Sequence, residues 1–284
     1  MRKSAGLGLT IVFALCISAQ PAAADVWNKA WTAAGIARIM VNADDGNIRV
    51  QTGDYKEISA KVETVGWRLA DDEVRVIANQ SGNQFDLVVK VPSRHISFAF
   101  QRSIVIGLTV PRSVELDLHT GDGNITTERI DGSLRADTGD GNITVGAAKG
   151  TLRLHTGDGN IIADGLEGSL VSETGDGNIR IEGRFDALEV HTGDGNIEVS
   201  ARPGSRVASE WKVDTGDGNI QLDLPDGIAA DLDAHTGDGH VTLDFPVTVT
   251  GKIEKASLRG QLGGGGPRLW VRTGDGNIRM SKSR

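Results

Sequence analysis

The chain has 284 residues, with 30 basic and 38 acidic side chains and a formal net charge of −8 at pH 7. This acidic balance argues against nucleic acid or an anionic membrane surface as the partner. Glycine is abundant at 38 residues, aromatic residues make up only 4%, and there is a single cysteine. The composition favours a thin aliphatic core between close turns, and it excludes a disulfide framework.

The first 24 residues have the pattern of a secretory signal peptide. Arg2 and Lys3 precede an apolar run over residues 7–19, and small residues follow up to Ala24. The run is too short to span a membrane as a helix of the mature protein. We therefore expect export to the periplasm, the cell surface or the outside of the cell. Cleavage would remove Cys16 and leave no stable membrane span.

Residues 25–111 are expected to form an N-terminal cap and the first irregular turns of the fold. Trp27 and Trp31 are four apart, which suggests a short helical lead-in over 26–34. Asp45-Gly46-Asn47-Ile48 looks like a degenerate copy of the motif that dominates the rest of the chain. Strand-like runs follow at 58–65, 74–78, 85–91 and 104–110.

Residues 112–284 carry a repeat built on the hexapeptide Thr-Gly-Asp-Gly-Asn-Ile. The first five copies are 18 residues apart, which indicates one structural unit copied and stacked. The copies, with a His-Val variant at the seventh, begin at Thr120, Thr138, Thr156, Thr174, Thr192, Thr215, Thr236 and Thr273. The last copy lies close to the C-terminus, so the array is expected to run to the end of the chain.

Each repeat predicts two short strands joined by glycine turns. Apolar and polar residues alternate before each motif, so Leu134 and Ala136 should point inward while Arg135 points outward. Gly-Asp-Gly then bends the chain, and Ile143 begins a second strand. Two such strands cannot bury their own apolar face, but stacked copies can. We predict an all-β fold, a parallel β-solenoid (β-helix) with rungs of about 18 residues.

Two other repeat folds fail on spacing, and one stays open. A left-handed hexapeptide helix requires aliphatic residues where Lys149 and His155 stand, and a calcium β-roll requires a nine-residue half-period that is missing. An antiparallel meander remains an alternative, because Asp-Gly is a strong hairpin signal.

The chain resembles the bacterial putative-adhesin family of exported β-strand repeat proteins, a domain of unknown function. The resemblance rests on Gly46-Asn47-Ile48-Arg49-Val50 and on Leu108-Thr109-Val110-Pro111, which leads into Val114-Glu115-Leu116-Asp117-Leu118 and the first hexapeptide. It covers nearly all of the mature chain. It implies a β-solenoid in the cell envelope or outside it, and it supplies no catalytic residue.

The repeated aspartates form a first candidate column. Stacked carboxylates repel one another, so each must be compensated. We interpret each Asp as bonding the backbone N–H groups of its own turn, with a row of Ca²⁺ ions as the alternative. The column consists of Asp122, Asp140, Asp158, Asp176, Asp194, Asp217, Asp238 and Asp275.

The repeated asparagines form a second column, in which stacked side-chain amides are expected to bond one another. This Asn column consists of Asn124, Asn142, Asn160, Asn178, Asn196, Asn219 and Asn277, with His240 as the exception.

The residue before each motif alternates between histidine and an acid on an outward-facing position. We interpret this His/acid column as an opposite-charge ladder between rungs. A pH-responsive face and a surface Zn²⁺ or Ni²⁺ site are the alternatives. The column is His119, Asp137, His155, Glu173, His191, Asp214 and His235, ending on Arg272.

No catalytic, metal or cofactor site is predicted. The sequence has no Gly-x-Ser-x-Gly, His-Glu-x-x-His or phosphate-cradling glycine motif, and its acids repeat rather than converge. We expect a non-catalytic scaffold or interaction protein of the bacterial envelope, with an envelope protein or a glycan as partner. The alternative is a carbohydrate-active enzyme or a calcium-binding module on a β-helix.

Overall fold

The computed structural model describes residues 24–92, 102–249 and 254–283. In these segments the backbone forms strands that join into one continuous sheet, and no helix is present. Accordingly, the described residues contain no helix long and apolar enough to cross a membrane. The predicted signal peptide lies outside the described residues, apart from Ala24.

In the described residues, seven strands precede the repeat, and the last four of them correspond to the strand-like runs in the sequence. The seven strands are β1 (Ala24–Thr32), β2 (Ala37–Ala43), β3 (Asn47–Gly53), β4 (Glu57–Val65), β5 (Arg75–Ser81), β6 (Gln84–Lys90) and β7 (Ser103–Pro111). The strands of the regular repeat follow. They are β8 (Ser113–Thr120), β9 (Ile125–Thr127), β10 (Ile130–Thr138), β11 (Ile143–Val145), β12 (Ala148–Thr156), β13 (Ile161–Thr174), β14 (Ile179–Thr192) and β15 (Ile197–Ala201).

The C-terminal strands complete the array. They are β16 (Trp211–Thr215), β17 (Ile220–Leu224), β18 (Ala230–Thr236), β19 (Val241–Leu243), β20 (Thr248–Val249), β21 (Ser257–Leu262), β22 (Arg268–Thr273) and β23 (Ile278–Lys282).

The repeat is a parallel β-solenoid, as predicted. The strands before each motif stack in register, so that Leu134 lies beside Leu152 and Thr138 beside Thr156. The strands after each motif stack in a second parallel column, with Ile143 beside Ile161. One rung is one strand from each column, joined at the Gly-Asp-Gly corner. The antiparallel meander is therefore wrong for the repeat, because every motif-to-motif pairing is parallel.

The core is a narrow aliphatic column closed by buried threonines. Leu134, Ala136 and Ile143 are buried, as their alternation predicted. The motif threonine is buried too, and its hydroxyl is satisfied across rungs: Thr156 Oγ1 donates to the Gly141 carbonyl oxygen at 2.7 Å. A buried hydroxyl needs such a partner, since leaving it unpaired costs about 1–3 kcal/mol. The motif threonine therefore helps to hold one rung on the next.

The second glycine of the motif is required by the close approach of adjacent corners. A Cβ added at Gly159 would lie 2.0 Å from the Gly141 carbonyl oxygen, far inside van der Waals contact. The second bend of each rung is gentler than predicted. It carries Gly132, Gly150 and Gly168 with positive φ angles, yet β13 and β14 run through it as continuous strands.

At the C-terminal end, the order of rungs in space differs from their order in the chain. The last rung, β22–β23, inserts between β16–β17 and β18–β19. The array does run to residue 282, as expected, but its last copy is not its outermost rung. Strands β21 and β20 then turn back antiparallel and cover the outer edge of β18.

The N-terminal end repeats this arrangement. The rung β2–β3 stacks on β8–β9, with Asn42 beside His119 and Ile48 beside Ile125, so the degenerate copy is a true rung. Strands β6 and β7 form the next rung outward, and β5, β4 and β1 cap it antiparallel.

The predicted helical lead-in over 26–34 is wrong. Residues Ala24–Thr32 form β1 and pair antiparallel with β4 along nine consecutive positions. A helix this short would have little stability of its own, whereas the strand covers the exposed edge of β4 and buries Trp31 against Phe85.

Candidate functional site

A groove of about 1010 Å³ runs beside the Asn column. We call it the Asn groove. One wall is the Asn column, extended by Asn47 of the N-terminal rung. The other wall consists of the side chains two positions after each Asn, which point outward past the buried Ile. They are Arg49, Thr126, Thr144, Ile162, Arg180, Glu198, Gln221 and Arg279.

The Asn column is a continuous hydrogen-bonded ladder. Asn142 donates its backbone N–H to Asn124 Oδ1 at 2.9 Å and its Nδ2 to the same oxygen at 3.1 Å. The same pair of bonds recurs on each rung from Asn47 to Asn277, and His240 ends the ladder by donating only its backbone N–H. The predicted stacking of amides is therefore confirmed, and it fixes the side chains that line the groove.

The second wall is uneven in chemistry and carries three arginines and one glutamate. Thr126, Thr144 and Ile162 make an uncharged stretch, and Ile162 is 40% exposed. Arg180 pairs with Glu198 at 3.4 Å, and Arg279 pairs with Asp244 at 3.0 Å. Sequence analysis missed this wall because its residues do not repeat. The available signal was positional: each lies two residues after the motif asparagine.

The residues of the His/acid column share one register position on the outer face of the other sheet. Asp137 lies between His119 and His155, and Glu173 lies between His155 and His191. His119 Nδ1 is 3.2 Å from Asp137 Oδ1, and His155 Nδ1 is 3.9 Å from Glu173 Oε2. These two pairs, and His191 with Asp214, thus lie within ion-pairing distance.

The inserted C-terminal rung changes the end of this column. His191 Nδ1 contacts Asp214 Oδ2 at 2.6 Å, and Arg272 then lies between Asp214 and His235. Arg272 also pairs with Asp233 at 3.6 Å and lies 5.0 Å from the centre of the Trp270 ring. The column therefore alternates in sign from His119 to Arg272, and His235 follows a cation rather than an acid.

The Asp column is exposed at the corner between the two sheets. Across the described ranges, none of its eight side chains makes a hydrogen bond, so the interpretation of Asp as a cap of its own turn is wrong. The physical reason is that the turn's donors are already bound across rungs. Gly157 N donates to the Gly139 carbonyl, and Asn160 N donates to Asn142 Oδ1 at 2.9 Å.

The corner also lacks a converging set of metal ligands. No group of three or more His, Cys, Asp or Glu side chains in the described segments is arranged to hold a metal ion. Successive carboxylates of a stack point the same way, whereas Ca²⁺ requires six to eight oxygens around it.

One charged cluster anchors the first irregular rung, where 23 residues separate Thr192 from Thr215. Hydrogen bonds from Arg184 and Arg206 at 3.1 and 2.9 Å hold the pKa of Asp186 below its ordinary value. Arg206 belongs to the inserted loop, so this carboxylate holds the loop against the stack. A second lowered pKa, that of Glu73, follows from the backbone and side-chain hydrogen bonds of Arg68.

These features define a parallel β-solenoid with repeated faces, in which polar ladders run the length of the stack. The family described as Toastrack DUF4097 matches residues 36–281, and the chain belongs to that family. Among curated proteins, none matches the chain.

Two solved structures are similar in outline. One is a putative cell adhesion protein from Clostridium sporogenes ATCC 15579, 12% identical, with a TM-score of 0.25, over 92% of this chain and 100% of that one. The other is a putative adhesin from Bacteroides fragilis NCTC 9343, 12% identical, with a TM-score of 0.37, over 90% of this chain and 97% of that one.

Proposed function

We propose that this protein is a non-catalytic interaction protein of the bacterial cell envelope that contacts its partner along the Asn groove. The observation that carries the proposal is the groove itself. It runs from Asn47 to Asn277 beside a rigid ladder, and its walls carry polar side chains with an apolar contact at Ile162. A preformed surface of this kind binds an extended partner without ordering loops, which lowers the entropic cost of association.

Export and domain organisation form part of the same proposal. Residues 1–24 would direct the chain out of the cytoplasm and be removed, residues 25–111 would cap the stack, and residues 112–284 would present the repeated faces. Cell fractionation of a tagged full-length chain should place the protein in the envelope or the medium. Recovery of an uncleaved chain in the cytoplasm would contradict this part.

The groove is tested by crosslinking in living cells. A photo-crosslinking amino acid replaces Thr144, which is exposed on the groove wall, or Thr151, which is equally exposed on the outer face of the other sheet. We expect covalent adducts at position 144 and none at position 151. Adducts at neither position, or equally at both, would contradict binding through the groove.

We further propose that the His/acid column stabilises rung register and does not bind a ligand. A double-mutant cycle with His191→Gln and Asp214→Asn should give a coupling energy of about 0.2–1 kcal/mol, as exposed ion pairs do. The matched control is His119 with Glu173, which are in the same column but not neighbours. Equal coupling in both cycles would rule out a neighbour-to-neighbour ladder.

A further inference from the structure

We propose that the Asn groove takes a neutral, extended polysaccharide whose sugar rings are joined by β-1,4 bonds, with the chain lying parallel to the solenoid axis. This inference rests on the proposed function, because it names the class of partner that the groove would bind.

The first observation is a row of unused hydrogen-bond donors. The backbone N–H of Asn178 donates to the Asn160 side chain at 2.9 Å, which identifies the accepting atom as Oδ1. That oxygen also accepts from Asn178 Nδ2 at 3.2 Å, so both of its lone pairs are engaged. Each Nδ2 has two hydrogens and uses one in the ladder. In the segments that the structure describes, the second hydrogen has no protein acceptor, so each rung from Asn124 to Asn277 offers one amide N–H beside the groove, and the rung of His240 offers none.

The second observation concerns charge. Among the described residues of the wall, Arg180 and Arg279 are in ion pairs and Arg49 is not, so the wall keeps a small positive charge, while the exposed Asp column runs along the corner next to the ladder. A polyanion would be repelled by that row of carboxylates, and a polycation would meet donors rather than acceptors. A neutral chain rich in oxygen acceptors fits both conditions. Hydroxyl, ring and acetamido oxygens of a polysaccharide are such acceptors.

The third observation is spacing. Rungs repeat at about 4.8 Å, and so do the free donors. An extended peptide advances about 3.3 Å per residue, so groups on one of its faces recur only every ~6.6 Å and fall out of step with the ladder. A chain of β-1,4-linked pyranose rings advances by about one rung per sugar and turns each ring over relative to the last, so groups on one of its edges recur about every second rung and stay in register with every second donor. Thr126 and Thr144 add hydroxyls, and Ile162 offers an apolar contact for the C–H face of a ring.

Binding should therefore grow with chain length, since each added sugar reaches another rung. We expect the association constant for cello-oligosaccharides or chito-oligosaccharides to rise about twofold to tenfold per sugar, up to the length of the groove. Maltohexaose has the same composition as cellohexaose but axial linkages that curve the chain, so it should bind at least tenfold more weakly than cellohexaose. Raising the salt concentration should leave the affinity for neutral oligosaccharides unchanged.

The test uses the mature protein in isothermal titration with cellohexaose, chitohexaose and maltohexaose. Thr144→Glu places an acceptor beside the donor row and should weaken binding of the favoured hexamer at least tenfold. Thr151→Glu makes the same change on the outer face of the other sheet and should leave binding intact. Melting temperatures of both variants report that the fold is kept.

Two outcomes would overturn the inference: no heat with any β-1,4-linked hexamer, or binding that does not depend on linkage and length. Its failure is distinguishable from failure of the proposed function. If the adducts at position 144 in cells resist glycosidases and mass spectrometry finds peptides of a second protein in them, the partner is a protein; the groove then stands as the binding surface and the polysaccharide does not.

Discussion

The middle of the solenoid and its two ends are built from the same motif, but they differ in the order in which their rungs stack. From Thr120 to Thr192 the rungs follow one another in space as they do in the chain, at a constant 18 residues. At each end, the terminal rung is set one place inward and a rung from nearer the middle of the chain lies outside it. Antiparallel strands then cover the outermost edge.

Extending the stack and ending it therefore place different requirements on the chain. A parallel stack offers an open edge at each end, which invites pairing with another chain. The middle needs only identical neighbours. The ends need the chain to reverse, and reversal brings a non-consecutive rung into the stack. Four changes would break or sharpen this contrast.

The largest effect should come from removing the inserted rung. Deletion of residues 267–284 removes four buried side chains, at about 1.5–2 kcal/mol each, or roughly 6–8 kcal/mol in total. Those side chains are Leu269, Val271, Ile278 and Met280. We expect hydrogen exchange to show loss of protection in β18–β21, while the rungs from Thr120 to Thr192 stay protected.

Deletion of β1 is the matched control for that change. It removes an outer strand with one buried core side chain, Trp31, and should cost about 3 kcal/mol. If the two deletions destabilise the protein equally, the inserted rung holds the end no better than an outer strand does.

The next effect concerns the corner of the middle rungs. Gly159→Ala would force a Cβ against the Gly141 carbonyl oxygen and should reduce the free energy of unfolding by about 3 kcal/mol or more. Gly107→Ala is the control, because its Cβ would meet no atom closer than 3.9 Å. Chemical denaturation measures both. If Gly159→Ala reduces the free energy of unfolding no more than Gly107→Ala does, the Gly-Asp-Gly corners of adjacent rungs can move apart freely.

A smaller effect is expected in the ladder. Asn160→Ala leaves the backbone N–H and Nδ2 of Asn178 without their acceptor and should cost about 1–1.5 kcal/mol. His240→Asn at the C-terminal end should instead add a bond to Asn277 Oδ1 and stabilise by up to about 1 kcal/mol. Thermal melting reports both, and opposite signs are expected. If both substitutions change the melting temperature in the same direction, the hydrogen bonds of the ladder do not determine the stability of the protein.

The smallest effect concerns pH at the first irregular rung. The pKa of Asp186 is depressed below its ordinary value of 3.8, so its stabilisation is full above that pH and is lost as pH falls through the depressed value. Asp186→Asn should cost about 1 kcal/mol or less at neutral pH. The difference from the parent protein should vanish in acid. If the difference in the free energy of unfolding between Asp186→Asn and the parent protein stays constant down to the lowest pH, the effect comes from packing and not from the charge.

Much of the fold follows from local pattern. Period-2 alternation placed Leu134 and Ala136 inside, and the 18-residue spacing predicted parallel rungs, because both depend on short-range chemistry. The order of rungs at the ends could not be predicted. Every copy carries the same threonine, glycine and asparagine contacts, so any rung fits any other. The 37 residues between Thr236 and Thr273 were the only hint.

The candidate site was predictable in one wall and not in the other. Repetition singled out the Asn column, and its ladder formed as expected. The facing wall, with Thr144, Ile162 and Arg180, has no residue type that recurs on every rung, so only its position two residues after each asparagine could have indicated it. The prediction that Asp140 bonds the backbone N–H groups of its own turn was wrong for a related reason. A single repeat does not reveal that the next rung has already taken the donors of its turn.

The inward placement of both terminal rungs has a consequence for how such a gene can grow. A copy added directly beside β2–β3 or β22–β23 would have to enter the interior of a finished stack, between rungs that already bond each other. Tandem duplication between Thr120 and Thr192 meets no such obstacle, because each new unit stacks on its own parent. Length variants of this protein should therefore differ by multiples of 18 residues in that stretch, with both ends inherited unchanged.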